Sequence, residues 1–180
     1  VVGSSLHWPL PKQGKYEEAW QALVDAQKFG LIRTIGVSNF LPEHLERIID
    51  KAGVTPTTNQ IERHPYFHNN ELVECNRKHG IVTEAWSPLG REINDVLTND
   101  TILSLAKKYQ RQPAQIINRW NLQNSVLPIV KSSNYAHQQA NLDVFDFELS
   151  EEDIQTIDAL DKGEAGRVEG QHPNDYEEFD

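Results

Sequence analysis

Six residues precede a His-Trp-Pro triplet, His7-Trp8-Pro9. Imidazole, with an ordinary pKa of about 6.5, can orient a carbonyl or pass it a proton near neutral pH. An indole beside it can wall a pocket. Further along stand other groups able to do chemistry: Ser38-Asn39, the stretch from Gln60 to His64, Trp86-Ser87-Pro88, and Lys131-Ser132. Each has a plainer reading when taken alone. A histidine near a chain end, a tryptophan in a core, and Ser-Asn as cap or turn residues before a helix at Pro42 are all ordinary.

Spacing argues against several chemistries. Glu62, His64 and His68 are close in sequence, but Pro65 breaks the i, i+4 geometry of a helical ligand pair and there is no HExxH, so no metal is expected. Ser87 lacks a GxSxG setting. Neither GxGxxG nor a P-loop occurs, so the common nucleotide fingerprints of open α/β sheets are absent.

The totals narrow the partners. The 180 residues carry 27 acidic against 17 basic side chains, a net charge of −10, which argues against a nucleic-acid surface. The acidic runs Ser150–Asp153 and Tyr176–Asp180 read as solvated faces. Cys75 is the only cysteine, so no intrachain disulfide is possible and a reducing, cytoplasmic setting is expected. The start VVGSSL is too short and uncharged for a signal peptide, and no apolar run approaches the ~20 residues that span a bilayer. No membrane partner is expected.

The elements that must position these groups follow from periodicity. Tyr16, Ala19, Trp20 and Leu23 lie at helical spacing in a segment from Tyr16 to Phe29, with Gly30 as its stop. The run 31–37 reads as a strand, followed by a helix that starts near Pro42 and carries Leu45, Ile48 and Ile49 on one face. Strands at 57–62 and 81–86 and helical stretches at 69–80, 100–110 and 113–124 repeat the pattern. A strand at 126–130, a short helical piece around Asn134 to Asn141, and a last helix from Ser150, with Asp153 at capping-box spacing, complete it. Residues 163–180 are polar and rich in turn formers, a tail or loop.

Strands alternating with helices every 25 to 30 residues indicate a parallel sheet with crossover helices, an α/β fold. The chemically capable residues fall at the carboxyl ends of successive strands, which fits a (β/α)8 TIM barrel, whose active sites occupy that face. An open doubly wound sheet is the alternative. Only four good strands are visible, with a fifth candidate before His7, where Gly3 and two serines give poor β propensity. A barrel has eight strands and typically ~250 residues, so the parent protein is expected to be longer by about 100 residues at the front.

Several segments together resemble the aldo-keto reductase family, in particular members related to 2,5-diketo-gluconate reductase: LHWPLP, GLIRTIGVSNF, NQIERHPYF, EAWSPLG, PAQIINRW, PIVKSS, NLDVFDFELSEEDIQTIDAL and GRVEGQHP. They occur in family order across nearly the whole chain. The resemblance implies a barrel, here represented by about its last five strand-helix units over 1–180, that reduces aldehydes, ketones or keto-sugars with a nicotinamide cofactor.

It also implies roles. The family's catalytic Asp, Tyr, Lys and His are represented here by His7 alone. His7 orients the substrate carbonyl, and Trp8 lines the pocket. Ser38, Asn39 and Gln60 match positions that hold the nicotinamide carboxamide, which needs donors and acceptors in fixed places. Trp86 matches the aromatic on which the ring stacks. Lys131, Ser132, Ser133, Asn134, His137 and Asn141 match the segment that binds the distal end, where a strand end and helix N-terminus offer N–H groups to phosphate. Asn134 and His137 stand where NADPH-preferring relatives commonly carry arginines, and Ala140 where they carry an acid. NADPH is therefore the expected cofactor, with NADH possible and selectivity weakened. A monomeric parent enzyme is the first reading. A barrel remnant that binds a nucleotide or partner without catalysis is the second.

Overall fold

The structure is a computed structural model that describes residues 2–90 and 95–177. The last three residues of the acidic run Tyr176–Asp180 lie outside the described residues. Five strands are β1 (Gly3–Leu6), β2 (Thr34–Ser38), β3 (Thr58–Glu62), β4 (Val82–Trp86) and β5 (Val126–Pro128). Seven α-helices are α1 (Tyr16–Lys28), α2 (Pro42–Ala52), α3 (Asn70–Lys78), α4 (Asp100–Tyr109), α5 (Pro113–Gln123), α6 (Tyr135–Leu142) and α7 (Glu151–Asp158). Single 3₁₀ turns occur at Pro11–Gln13, Val96–Thr98 and Gly163–Gly166.

The strands form one sheet in the order β1-β2-β3-β4-β5, and β1–β2 and β2–β3 pair in parallel. Spatial order equal to chain order is the winding of a barrel. A doubly wound sheet reverses direction at a switch point, and this one does not. The five strands make a partial barrel.

The chain divides into two compact units. One holds residues 1–61, 70–84 and 168–180, the other 62–69 and 85–167. In the first, β2 is buried from Ile35 to Ser38, and β3 alternates half-buried Thr58 and Gln60 with buried Asn59 and Ile61. Ile35, Val37, Asn59 and Ile61 are buried on one face, and the apolar ones pack with Trp20, Val24, Phe40, Leu45 and Ile48 from α1, α2 and the loop between β2 and α2. The other face carries Gly3 and Ser5 of β1, Thr34 and Gly36 of β2, Thr58 of β3 and Glu84 of β4 around a cavity of ≈ 260 Å³. The apolar stripe and the helices it meets account for the stability of this unit, leaving the opposite face to small and polar groups.

Three sequence expectations need correction. The stretch GSSL does form a strand despite its composition, in register Gly3↔Thr34 through Leu6↔Val37. Its small residues are what the site admits: a Cβ on Gly3 would lie 2.9 Å from Thr34 Oγ1, and one on Gly36 2.4 Å from Thr58 Oγ1 and 3.0 Å from Ser5 Oγ. Strand propensity is overridden by close approach of neighbouring side chains. β2 begins at Thr34 rather than residue 31, because Gly30 takes a left-handed φ of 74° and Leu31 is left exposed. β5 ends at Pro128, two residues early, although the Ile129 N–H still donates to the Ala85 carbonyl of β4 at 2.9 Å.

The second unit packs Ile102, Leu105, Ile116, Ile117, Trp120 and Ile157 around α4, α5 and α7. Trp120 Nε1 donates to the Asp158 carboxylate at 2.8 Å, and the Arg63 guanidinium lies 4.4 Å above the Trp120 ring while donating to Asn121 Oδ1 and the His68 carbonyl. Burial pulls Arg63 down to about 10, against the pull of Asp158 and Asp161, so it stays charged at neutral pH.

Ser150 caps α7 as its spacing suggests, its Oγ accepting the Asp153 N–H at 3.2 Å. The other half of a capping box is absent: the Ser150 N–H donates to the Tyr109 hydroxyl, and the Asp153 carboxylate gathers Lys108 Nζ, the Tyr109 hydroxyl and Ser150 Oγ. Burial opposes ionisation of Asp153, yet the Lys108, Tyr109 and Ser150 donors outweigh it and hold the carboxyl below the usual range. A depressed folded-state value means a contribution present above the unfolded pKa of about 3.9 and lost as pH falls through the folded value. Asp153→Asn is therefore expected to cost about 1–2 kcal/mol at pH 7, part of the Lys108 share being screened by solvent. Urea unfolding at pH 7 and at pH 3 checks it, the gap between the variant and the parent chain narrowing as the pH falls.

Candidate functional site

In the first unit, His7 follows β1 directly and is exposed, while Trp8 is buried. Trp8 is covered by Tyr176, whose ring stacks on it at 4.1 Å and 24°. The segment that brings Tyr176 there is held by Lys12 Nζ on the Asp175 carbonyl at 3.3 Å and by Gln13 Nε2 on Glu177 at 3.0 Å. Residues read as a polar tail thus supply an aromatic partner for the predicted pocket tryptophan. The signal was weak: one tyrosine among acids.

Ser38, Asn39 and Gln60 come together at the ends of β2 and β3. Ser38 Oγ and the Asn39 N–H both donate to the Gln60 carbonyl, each at 2.9 Å. Asn39 adopts a left-handed φ of 60°, and its Nδ2 donates to Ser38 Oγ at 3.1 Å and to the His7 carbonyl at 3.4 Å. These residues are not the helix cap that their types allow. The cap of α2 is Leu41, with Pro42 in the first turn and the Leu41 N–H donating to His44 Nδ1 at 3.1 Å.

Beneath this turn sits Asn59, wholly buried. Its Nδ2 donates to the Phe40 carbonyl at 2.9 Å and to Asn76 Oδ1 at 3.1 Å, its Oδ1 accepts the Phe40 N–H at 3.4 Å, and Asn76 Nδ2 passes on to Thr83 Oγ1 at 3.0 Å. The network pins the loop after Asn39 to α3 and β4. No sequence signal singles it out beyond the NQIE match.

In the second unit, Trp86 ends β4, half-buried, and Ser87 after it takes a left-handed φ of 48°. Lys131, Ser132, His137 and Asn141 line one cavity of ≈ 240 Å³ with Gln112 and Leu97, two residues the sequence did not point to. Ser133 and Asn134 are not among its lining residues. Asn134 caps α6, its Oδ1 accepting the His137 N–H at 3.2 Å, and Ser132 Oγ is tied to the Asn134 backbone. The segment is a self-bonded turn leading into a helix, with the Lys131 ammonium and the His137 ring beside the groove.

The grouping weighed for a metal does not converge. His64 Nε2 meets Glu62 Oε1 at 3.1 Å in the buried interior, whereas His68 packs on Trp120 with ring centres 4.8 Å apart and its Nε2 on the Pro65 carbonyl. Burial pushes the His68 imidazole below its ordinary value, against the pull of Asp161. Among the described residues no cluster of three His, Cys, Asp or Glu could hold a metal ion, and no helix is long and apolar enough to cross a membrane.

Comparison with known proteins gives this arrangement a lineage. Methylglyoxal reductase DkgA of Yersinia pestis is 45% identical over 158 residues, 88% of this chain and 57% of its own length. 2,5-Diketo-D-gluconic acid reductase B of a Corynebacterium strain is 40% identical over 174 residues, 97% of this chain and 61% of its own length. A crystal structure of a Gox0644 variant in complex with NADPH superposes with a TM-score of 0.93 at 46% identity, covering 99% of this chain and 64% of that one. The chain therefore spans about three fifths of the relatives it matches. The neighbours share the TIM-barrel fold of which the five strands form part. Since the model of the Aldo/keto reductase family matches residues 4–162, most of the chain, the protein belongs to that family.

Proposed function

We propose that this chain forms the cofactor- and carbonyl-facing part of an NADPH-dependent reductase that converts aldehydes, ketones or keto-sugars to alcohols. The observation that carries the reading is the amide-holding set in the first unit: Ser38, Asn39 and Gln60, locked to one another and to the His7 backbone at the ends of β2 and β3. A carboxamide offers one acceptor and one two-hydrogen donor, and Asn and Gln side chains offer the complement. The donor set fits. Reduced nicotinamide supplies hydride when bound. His7, exposed beside buried Trp8, is the group to which this reading gives the orienting of the carbonyl oxygen, and Tyr176 extends the Trp8 wall.

In the second unit, Lys131 and His137 line the groove assigned to the phosphate end, with Ser132 and Asn141. Ser133 and Asn134 contribute by shaping and capping the turn, a smaller role than the resemblance implies. Among the described residues that line it there is no arginine, and so no bidentate partner for a 2′-phosphate. Preference for NADPH over NADH is therefore modest, and His137→Arg is expected to raise the NADPH/NADH affinity ratio roughly tenfold, the value of one charge-assisted hydrogen bond. Titrating both cofactors into both proteins decides it; an unchanged ratio removes His137 from the phosphate site. Saturable quenching of tryptophan emission by NADPH tests the reading as a whole, and its absence up to millimolar cofactor would sink it.

A further inference from the structure

The Gln60 side chain has a partner that the amide-holding set does not include. Its Nε2 donates to the Glu84 carboxylate at 3.0 Å, from β3 to the neighbouring β4, and both residues are half-buried. An ionised carboxylate has acceptors only, so it can take only the NH₂ end of the amide. That fixes a choice which is otherwise open, since the two ends of a glutamine amide are nearly isosteric but opposite in polarity. With Nε2 on Glu84, Oε1 is left as the acceptor of the other end. The backbone flank is fixed too, the Gln60 carbonyl being held by Ser38 Oγ and the Asn39 N–H. Glu84 otherwise borders the ≈ 260 Å³ cavity lined also by Gly3, Ser5, Thr34, Gly36 and Thr58. A charged group there is not required to fill space.

We infer that Glu84 is a positioning residue for the cofactor: by binding Gln60 Nε2 it commits the Gln60 amide to present its carbonyl oxygen to the NH₂ group of a nicotinamide carboxamide. This rests on the functional reading proposed above. In this role Glu84 acts through Gln60. Glutamine in its place keeps size and hydrogen bonding but can donate as well as accept, so the amide is free to turn over.

The test uses two ligands titrated into the 180-residue chain: NADPH, and adenosine 2′,5′-bisphosphate, which carries the phosphate end without nicotinamide. Glu84→Gln is expected to weaken NADPH about fivefold to tenfold, the worth of one amide–amide hydrogen bond, while leaving the bisphosphate affinity and the melting temperature unchanged. In a Gln60→Ala background the same substitution should change nothing further, because the residue it acts through is gone. Equal losses for the two ligands, unaltered NADPH binding, or additive losses in the double variant would overturn the role of Glu84 and leave the reading of the site standing. Failure of the unsubstituted chain to bind NADPH removes both. If Glu84→Gln does not fold, Glu84→Asp, which keeps an acceptor-only group, carries the same comparison: a loss confined to NADPH supports the role, and a loss shared by the bisphosphate refutes it.

Discussion

Mixed with NADPH and a panel of aldehydes, ketones and keto-sugars, residues 1–180 are expected to oxidise the cofactor at least roughly a thousandfold more slowly than the Yersinia pestis DkgA relative, a factor within the range that a positioned general acid supplies. Reducing a carbonyl creates an alkoxide that must be protonated. The resemblance gives that task to a tyrosine, assisted by an aspartate and a lysine, and none of the five tyrosines stands in a matching motif.

The structure shows what they do instead. Tyr16 is buried edge-on against Phe40 and His44, and burial pushes its hydroxyl up, away from neutral pH. Tyr66 is pushed the same way by burial and by its bond to Asp95, and the Tyr109 hydroxyl is spent on Asp153. Tyr176 stacks on Trp8, and Tyr135 is 79% exposed on α6. His7 has an imidazole suited to proton transfer, but as an exposed side chain it has water as a competitor for any proton it offers. β1 and β5 also end the sheet order, leaving their outer backbone groups without a strand partner among the described residues. Turnover within tenfold of DkgA, followed as NADPH absorbance under matched conditions, would show that these 180 residues supply the proton themselves.

Asn59→Ala is expected to lower the unfolding free energy by about 3 kcal/mol, since each buried polar group left without its partner costs ~1–3 kcal/mol. Three such groups are affected: the Phe40 carbonyl, the Phe40 N–H and Asn76 Oδ1. The loop that follows Asn39 loses its anchor at the same time, so NADPH binding should fall with stability. Denaturant titration measures the first and fluorescence titration the second. A variant as stable as the parent chain would mean that water replaces the Asn59 amide at no cost. Asn59→Asp separates shape from hydrogen bonding: it fits the space but cannot donate to Phe40, and is expected to be no better than alanine.

Much of this was legible in the residues. Helical spacing of Tyr16, Trp20 and Leu23 located α1, and a β-branched run followed by a helix start at Pro42 located β2 and α2. The strand-end placing of Ser38, Asn39 and Gln60 was legible too, and the structure bonds them to one another there, while their role toward a carboxamide is what the resemblance implies. What sequence withheld is of two kinds. Local propensity argued against β1, because the reason for its glycine and serines lies 30 residues away in Thr34 and Gly36. The roles of Asn59, Glu84 and Tyr176 depend on partners supplied by other elements, which one-dimensional spacing cannot pair. Asn134 shows the converse: a residue type suited to phosphate turned inward to cap its own helix.

The contact between Trp8 and Tyr176 has a consequence for the order in which the chain can mature. Together with Lys12–Asp175 and Gln13–Glu177 it closes a loop of more than 160 residues, and the whole of the second unit lies within that loop. During synthesis the second unit can gather its helices from near neighbours in sequence. The first cannot be finished until Tyr176 and Glu177 have been made, after the whole of the second unit. Closing so long a loop costs only logarithmically more than closing a short one, so the docked end state is reachable, but it comes late. Until then Trp8 and the ground around His7 stay open, and the pocket wall is built after the second unit.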